Sequence, residues 1–330
     1  MEHEHPINGY EMLIPVKAED LPSLEMAIPF ILEFLKPVRI NILSGKVSST
    51  QWNSGLFRYV HEDHLLDEVY PDGMTKKRIK ALLESRIGDG GRAGWYFQQF
   101  LKMGFSLRSD CPRQYLIWDA DTIPLKPIPF EENGKCIFYQ TYECNAAYFF
   151  TLRRLLADSS KDNPIRLSHV KKTPHSFISE SMLIQRDVMR EWIKKVEAED
   201  ENVPFFEKII SAVDTKDLPF CGFSEFETYG NFFAHTFSPE NYILDRSVRR
   251  FRYGSLLVEG TLTAKRIRQF SSLLDVISFE RGHPFGRCIS NAITSPFRQR
   301  CFLALYQAVR KAIWIRNLFK LWFRWRLKKT

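Results

Sequence analysis

The sequence predicts an α/β fold with a mostly parallel sheet, and two observations predict it. Short apolar strands alternate with helical stretches through the first 280 residues. The run Tyr115-Leu116-Ile117-Trp118 then stops at Asp119-Ala120-Asp121, the pattern of a buried strand that delivers polar groups at its C-terminal end. At 330 residues and 44% hydrophobic, the chain is long enough for one large domain or two small ones.

The elements follow in order. A first strand is expected over 10–16, leading into Pro15-Val16-Lys17, then a helix over 21–35 and a second strand over 38–44. A basic helix is expected over 76–87. The glycine-rich turn 88–94 opens a helix over 95–107, and its backbone N–H groups are candidates to face an anion. It lacks the Gly-Lys-Ser/Thr of a P-loop and follows no apolar strand, so a plain turn into a helix competes with that reading. A short strand over 136–140, an amphipathic helix over 187–198 and a helix over 204–213 come next. His175-Ser176-Phe177-Ile178-Ser179-Glu180-Ser181 reads as a capping box opening a helix. The aromatic stretch 223–233 reads as extended, 262–274 as helical and 276–279 as the last strand. Glycines and prolines cluster over 281–296, which places a boundary between a body at 1–285 and a C-terminal segment at 286–330.

Asp119 and Asp121 stand two apart at a strand end, so both carboxylates can project to one side. Close carboxylates repel unless a proton or cation lies between them. A hard divalent cation takes one or two carboxylates plus phosphate oxygens. The alternative is a polar strand end that caps a turn. In Ser224-Glu225-Phe226-Glu227-Thr228-Tyr229-Gly230-Asn231, an extended chain places Glu225 and Glu227 on one face, as a general base or a hydroxyl-binding pair. A solvated edge strand is the competing reading. Arg92 is a candidate phosphate partner, and Trp95, Tyr96 and Gln98 lie in the first turn where a base or sugar could rest, with core packing as the competing reading of the two aromatics. His235 and His283 are candidate third metal ligands, whereas His3 and His5 read as a frayed terminus.

Four segments in order, Pro15-Val16-Lys17, Gly94-Trp95-Tyr96-Phe97-Gln98-Gln99, Asp119-Ala120-Asp121 and Ser224-Glu225-Phe226-Glu227-Thr228-Tyr229-Gly230, resemble a group of bacterial GT-A-type glycosyltransferases. Asp-Ala-Asp-Thr is also similar to the glycogenin-like enzymes, and the resemblance covers about residues 10–280. It implies a GT-A-like, Rossmann-like mixed sheet flanked by helices. It implies Mn²⁺ or Mg²⁺ on Asp119 and Asp121, and a nucleotide-sugar donor held by Pro15, Val16, Lys17, Arg92, Trp95, Gln98 and Asp119. Glu225 and Glu227 become the catalytic candidates. The glycogenin-like ending His-x-x-Gly-x-x-Lys-Pro-Trp is kept only as His283-Pro284-Phe285-Gly286, so the resemblance assigns neither a third ligand nor the stereochemical course.

Charge is unevenly spread. Residues 281–330 hold 12 Lys and Arg with no Asp or Glu, while the rest hold 35 against 39. A mildly acidic body excludes a general nucleic-acid surface there. In the tail, Arg316, Lys320, Arg324 and Lys328 recur every four residues among Trp314, Trp322 and Trp325. Such a helix is too charged to span a bilayer and fits an anionic membrane surface. Packing on the body or on a partner, and RNA binding, are the rivals. The tail is expected to dock the protein without contributing to the chemistry. No basic region followed by an apolar core is visible at the start, and the six cysteines show no CxxC spacing, as expected in a reducing cytosol.

The expected function is a metal-dependent glycosyltransferase, peripheral on the cytoplasmic face of the plasma membrane. Its acceptor would be a lipid-linked or cell-envelope glycan of the lipopolysaccharide or capsule type. A membrane-tethered glycan-binding protein with an inactive transferase fold is one alternative. A haloacid-dehalogenase-like phosphatase is another, although Ile123 stands where that family has Thr or Val.

Overall fold

The computed structural model describes residues 9–46, 55–155, 171–198, 200–257, 262–280 and 295–326. His3, His5 and His283 lie outside them.

The central sheet has five strands: β1 (Glu11–Pro15), β2 (Arg39–Ser44), β3 (Phe57–His61), β4 (Gln114–Trp118) and, after three strands of other sheets, β8 (Ser181–Gln185). Their order is β3-β2-β1-β4-β8. The first four run parallel, with Leu13 opposite both Asn41 and Ile117, and β8 is antiparallel to β4. Apart from its first residue each of β1, β2 and β4 is buried, as expected of strands covered on both faces.

Helix α1 (Leu21–Phe34) links β1 to β2, and α2 (Lys76–Ile87) with α3 (Ala93–Gly104) links β3 to β4. The chain leaves β1 towards β2 and returns on its other side as β4. Under the right-handed crossover rule, α1 and the α2–α3 pair then belong to opposite faces. The sheet therefore has its topological switch point between β1 and β4, and a crevice opens beyond their C-terminal ends. Those ends carry Pro15-Val16-Lys17 and Asp119-Ala120-Asp121.

Two small sheets extend this edge. One holds β5 (Thr122–Pro124), β10 (Arg250–Phe251) and β11 (Val276–Ser278). The other holds β6 (Glu131–Glu132), β7 (Lys135–Tyr139) and β9 (Tyr242–Asp245). Helices α4 (Ala146–Leu155), α5 (Arg186–Glu197), α6 (Phe205–Ala212), α7 (Glu225–Thr236) and the short α8 (Ala264–Arg268) complete the body. The mixed, mostly parallel sheet flanked by helices matches the expected fold class.

Two local expectations are corrected. Residues 225–236 form helix α7, because Ser224 is a good N-cap and its Oγ accepts from Glu227 N at 3.3 Å. The segment 175–181 opens no helix. Ser176 bridges to Thr141, and Ser181 starts β8. The glycine-rich turn leads into α3 as expected, and it also closes α2: Gly88 has φ 69° and donates its N–H to Glu84 O at 2.8 Å.

The C-terminal segment forms one helix, α9 (Pro296–Arg326), 31 residues and therefore about 46 Å long. It packs on the body as far as Asn317. Leu303 and Tyr306 are buried, and Phe302 and Tyr306 meet the Phe251 ring edge-on at 5.9 and 5.0 Å. Trp314 donates Nε1 to Pro174 O at 2.9 Å, and Asn317 donates to Cys144 O at 3.2 Å. Among the described residues no helix is long and apolar enough to cross a membrane.

A chain ending at Pro296 uncovers Phe251 and removes these anchors. We expect it to melt at a lower temperature than the full chain and to bind a hydrophobic dye, both read in thermal scans. An unchanged melting curve would contradict this packing.

Candidate active site

A cleft of about 540 Å³ occupies the switch-point crevice. The turn that carries the two aspartates is held by the backbone. Asp119 N donates to Glu180 O at 3.0 Å, Thr122 N to Asp119 O at 3.1 Å and Phe279 N to Asp121 O at 2.9 Å. Trp118 Nε1 donates to Thr122 O at 2.8 Å, so the buried indole locks the turn from below.

Pro15, Val16, Lys17, Trp95, Gln98, Asp119, Asp121 and Glu225 all line the cleft, as expected from the sequence. Among the described residues three predicted ones, Arg92, Glu227 and His235, do not. Arg92 donates Nε to Phe220 O at 3.0 Å and covers the Trp95 ring at 4.5 Å, where it supports that ring from outside. Glu227 faces the other way from Glu225, because positions two apart on a helix diverge. Its carboxylate is buried, accepts from Ser176 Oγ and Phe177 N, and pairs with Lys171 at 2.8 Å. It anchors the segment that carries His175 and Glu180 to the cleft wall. His235 lies in the last turn of α7, outside the cleft lining.

The residue missed from sequence is Lys102. Its ammonium is 5% exposed and lies 2.7 Å from Asp119 Oδ1 and 2.7 Å from Glu225 Oε1. The contact with Asp119 pairs charge without hydrogen-bond geometry, whereas Glu225 accepts a full hydrogen bond. Burial alone pulls the Lys102 pKa down, but Asp119 and Glu225 outweigh it and hold it above its usual value. Helical spacing was the available signal: Trp95, Gln98 and Lys102 stand at i, i+3 and i+7 on α3. Gln99 Oε1 accepts from Glu225 N at 3.2 Å, so α3 also fixes the start of α7.

Among the described residues Asp121 has no such cation. Burial first, then Asp119, Glu280 and Asp20, push its carboxyl up to about 7. The cleft floor therefore carries surplus negative charge. Among the described residues no three His, Cys, Asp or Glu side chains gather as a metal site. Two carboxylates opening on a cleft still fit a hard cation that completes its shell with phosphate oxygens and water.

The opposite wall holds further groups that the sequence did not single out. Arg250 pairs with Glu180 at 2.6 Å, and Arg252 pairs with Glu143 at 2.7 Å and also with Glu280. Burial works to raise the Glu180 pKa, and Arg250 and Arg252 outweigh it. Tyr306, Gln307 and Arg310 of α9 line the same cleft, and Arg310 shares the Glu143 carboxylate. Three residues of the tail thus line the cleft, which its charge pattern alone did not indicate. The five cysteines among the described residues are free.

No protein-family model matches the chain, and no curated protein matches it. Among solved structures it is similar to mouse xyloside xylosyltransferase 1, at 11% identity over 84% of this chain and 100% of that one, with a TM-score of 0.42. An active-site mutant of LgtC gives 11% identity over 89% and 95%, with a TM-score of 0.42. The bifunctional glycosyltransferase WbbM gives 12% identity over 84% and 47%, also at 0.42. All three superpositions score below 0.5, and the site's chemistry is read from its own side chains.

Removing the Lys102 charge leaves Asp119 and Glu225 facing each other without a cation. Lys102→Met should cost about 3–5 kcal/mol in urea unfolding, the usual penalty for breaking a buried pair. Adding Glu225→Gln should recover part of that loss. A single variant as stable as the parent would exclude the bridge.

Proposed function

We propose that the protein transfers a sugar from a nucleoside-diphosphate sugar to a hydroxyl of a glycan or glycolipid acceptor. The observation that carries this reading is the Asp119–Asp121 turn, fixed by backbone hydrogen bonds at the switch point, with Asp121 in no ion pair among the described residues and surrounded by carboxylates. The four-segment resemblance supports it, since three segments and the first glutamate of the fourth meet in one cleft.

Asp119 and Asp121 would hold Mn²⁺ or Mg²⁺, and the cation would stabilise the charge that develops on the leaving diphosphate. Trp95, backed by Arg92, offers a ring face for the donor's base or sugar. Lys17, from the end of β1, supplies a positive charge beside the donor phosphates. Lys102 holds Asp119 in place while it fixes Glu225. The carbon–oxygen bond to the diphosphate breaks, a bond to the acceptor oxygen forms, and the acceptor's proton is released. Glu225, clamped by Lys102, orients the substrates on the acceptor side. Glu227 acts only through the segment it anchors.

We further propose that α9 docks on an anionic membrane. Leu305, Val309, Ile313, Ile315 and Phe319 are exposed on it, beside the exposed Arg316 and Lys320. Each basic residue near such a surface contributes about 1 kcal/mol. This reading puts the protein at the cytoplasmic membrane face, where a lipid-linked acceptor is presented.

The transfer reading is tested with a panel of nucleotide sugars, following nucleotide diphosphate release with and without Mn²⁺. Asp121→Asn should abolish release while the melting temperature holds, and chelator should do the same to the parent. Full activity in either case refutes the reading, and release of inorganic phosphate in place of the nucleotide would mark a phosphatase.

Docking is tested by co-sedimentation of the full chain with vesicles. Binding should require anionic lipid, weaken as salt rises and fall in Arg316→Glu/Lys320→Glu. Equal binding to neutral vesicles would refute it.

A further inference from the structure

The cleft is electrically divided. Its floor sets Glu19, Asp20, Asp119, Asp121 and Glu225 against only Lys17 and Lys102. Its basic side, which we call the mouth, sets Arg246, Arg250, Arg252 and Arg310 against Glu143, Glu180 and Glu280, the last two adjoining the aspartate turn. A cation and a diphosphate account for the floor and leave the basic mouth unexplained.

We propose that the mouth is a second anion site, in which Arg246, Arg250 and Arg310 hold a phosphate or carboxylate group carried by the acceptor. This rests on the glycosyl-transfer reading of the same cleft and names its acceptor class.

Arg250 is the firmest element. Its side chain is 9% exposed, and Nη1 is engaged by Glu180 at 2.6 Å. Nη2 is buried with no hydrogen-bond partner among the described residues. Buried charged donors are rarely left unmatched, and an anionic oxygen in the cleft supplies the missing acceptor.

Arg246 adds a directed but uncompensated charge. It enters no ion pair among the described residues, and its Nη1 lies 3.0 Å from His175 Nε2. Burial, then Arg246, Lys171 and Lys311, lower the His175 pKa, so the ring is neutral and Nε2 accepts from the guanidinium. The imidazole is itself fixed, stacked on Trp314 at 4.9 Å and 13° and edge-on to Tyr142 at 5.4 Å. The C-terminal helix therefore aims Arg246 through His175.

Arg310 and Arg252 share one oxygen of Glu143, and Arg252 also pairs with Glu280, so the uncompensated charge on this wall is that of Arg246. Fork-shaped donors of this kind match phosphate and carboxylate oxygens. Tyr142 and His175 line the cleft beside them and offer ring faces to the sugar that bears the anion.

The test is titration calorimetry of the full chain in chelator, with glucose 6-phosphate, glucuronate and glucose as probes. At least one anionic probe should bind, and glucose should not. Binding of only one anion identifies its source as phosphate or carboxylate. Arg246→Ala, at an exposed position, and Arg250→Lys should weaken the anion by about tenfold or more, while Asp121→Asn, which removes a negative charge from the cleft, does not weaken it. Equal binding of glucose, no anion binding, or full binding by Arg246→Ala overturns the proposal. Binding is read without metal or donor, so a failure of nucleotide-sugar turnover is scored separately and removes only the transfer reading.

Discussion

Lys102 joins two carboxylates from elements that meet only in the folded chain, one at the end of β4 and one at the start of α7. An ammonium 5% exposed is costly to bury, and partners on both sides are what make it tolerable. The bridge thereby sets where α3, the aspartate turn and α7 stand relative to one another. A buried ion pair is rarely more stabilising than well-packed apolar side chains of similar volume. Its presence beneath an open cleft is better explained by the placing of Asp119 and Glu225 than by stability.

That placement divides the labour among the acidic groups. Burial raises both aspartates above the usual carboxylate range; Lys102 works against this at Asp119, and at Asp121 the neighbouring carboxylates add to it. Glu225 faces the cleft. Glu227, two positions on, is committed to Ser176, Phe177 and Lys171. The consequence of that second commitment reaches the opposite wall, because the segment it anchors carries His175 and Glu180. Helix α9 closes the same wall from outside, through the ring stack of Trp314 on His175 and the contact of Arg310 with Glu143. Membrane docking of its outer face and shaping of the cleft by its inner face would therefore share one rigid element.

Much of this was legible in the chain itself. The strands near 10–16, 38–44, 115–118 and 276–279, the helices near 187–198 and 204–213, and the helical tail all follow from local periodicity. Asp119, Asp121, Lys17, Trp95 and Gln98 were found as site candidates because strand ends and first helical turns are readable positions. The strand assigned to 223–233 failed because aromatic density outweighed the Ser224–Glu227 capping pattern. The equal treatment of Glu225 and Glu227 failed with it, since a strand puts i and i+2 on one face and a helix separates them.

Sequence alone determined the layered α/β class, the carboxylate pair at a strand end and the uneven charge of the tail, because each is a property of neighbours along the chain. Tertiary structure alone decided that Lys102 meets Glu225 across 123 positions, that Arg250 lies buried with a donor unmatched, and that the tail helix walls the cleft. Charge pairing and burial depend on distance in space, and residues far apart in sequence reach that distance only when the sheet order brings their strand ends to one edge.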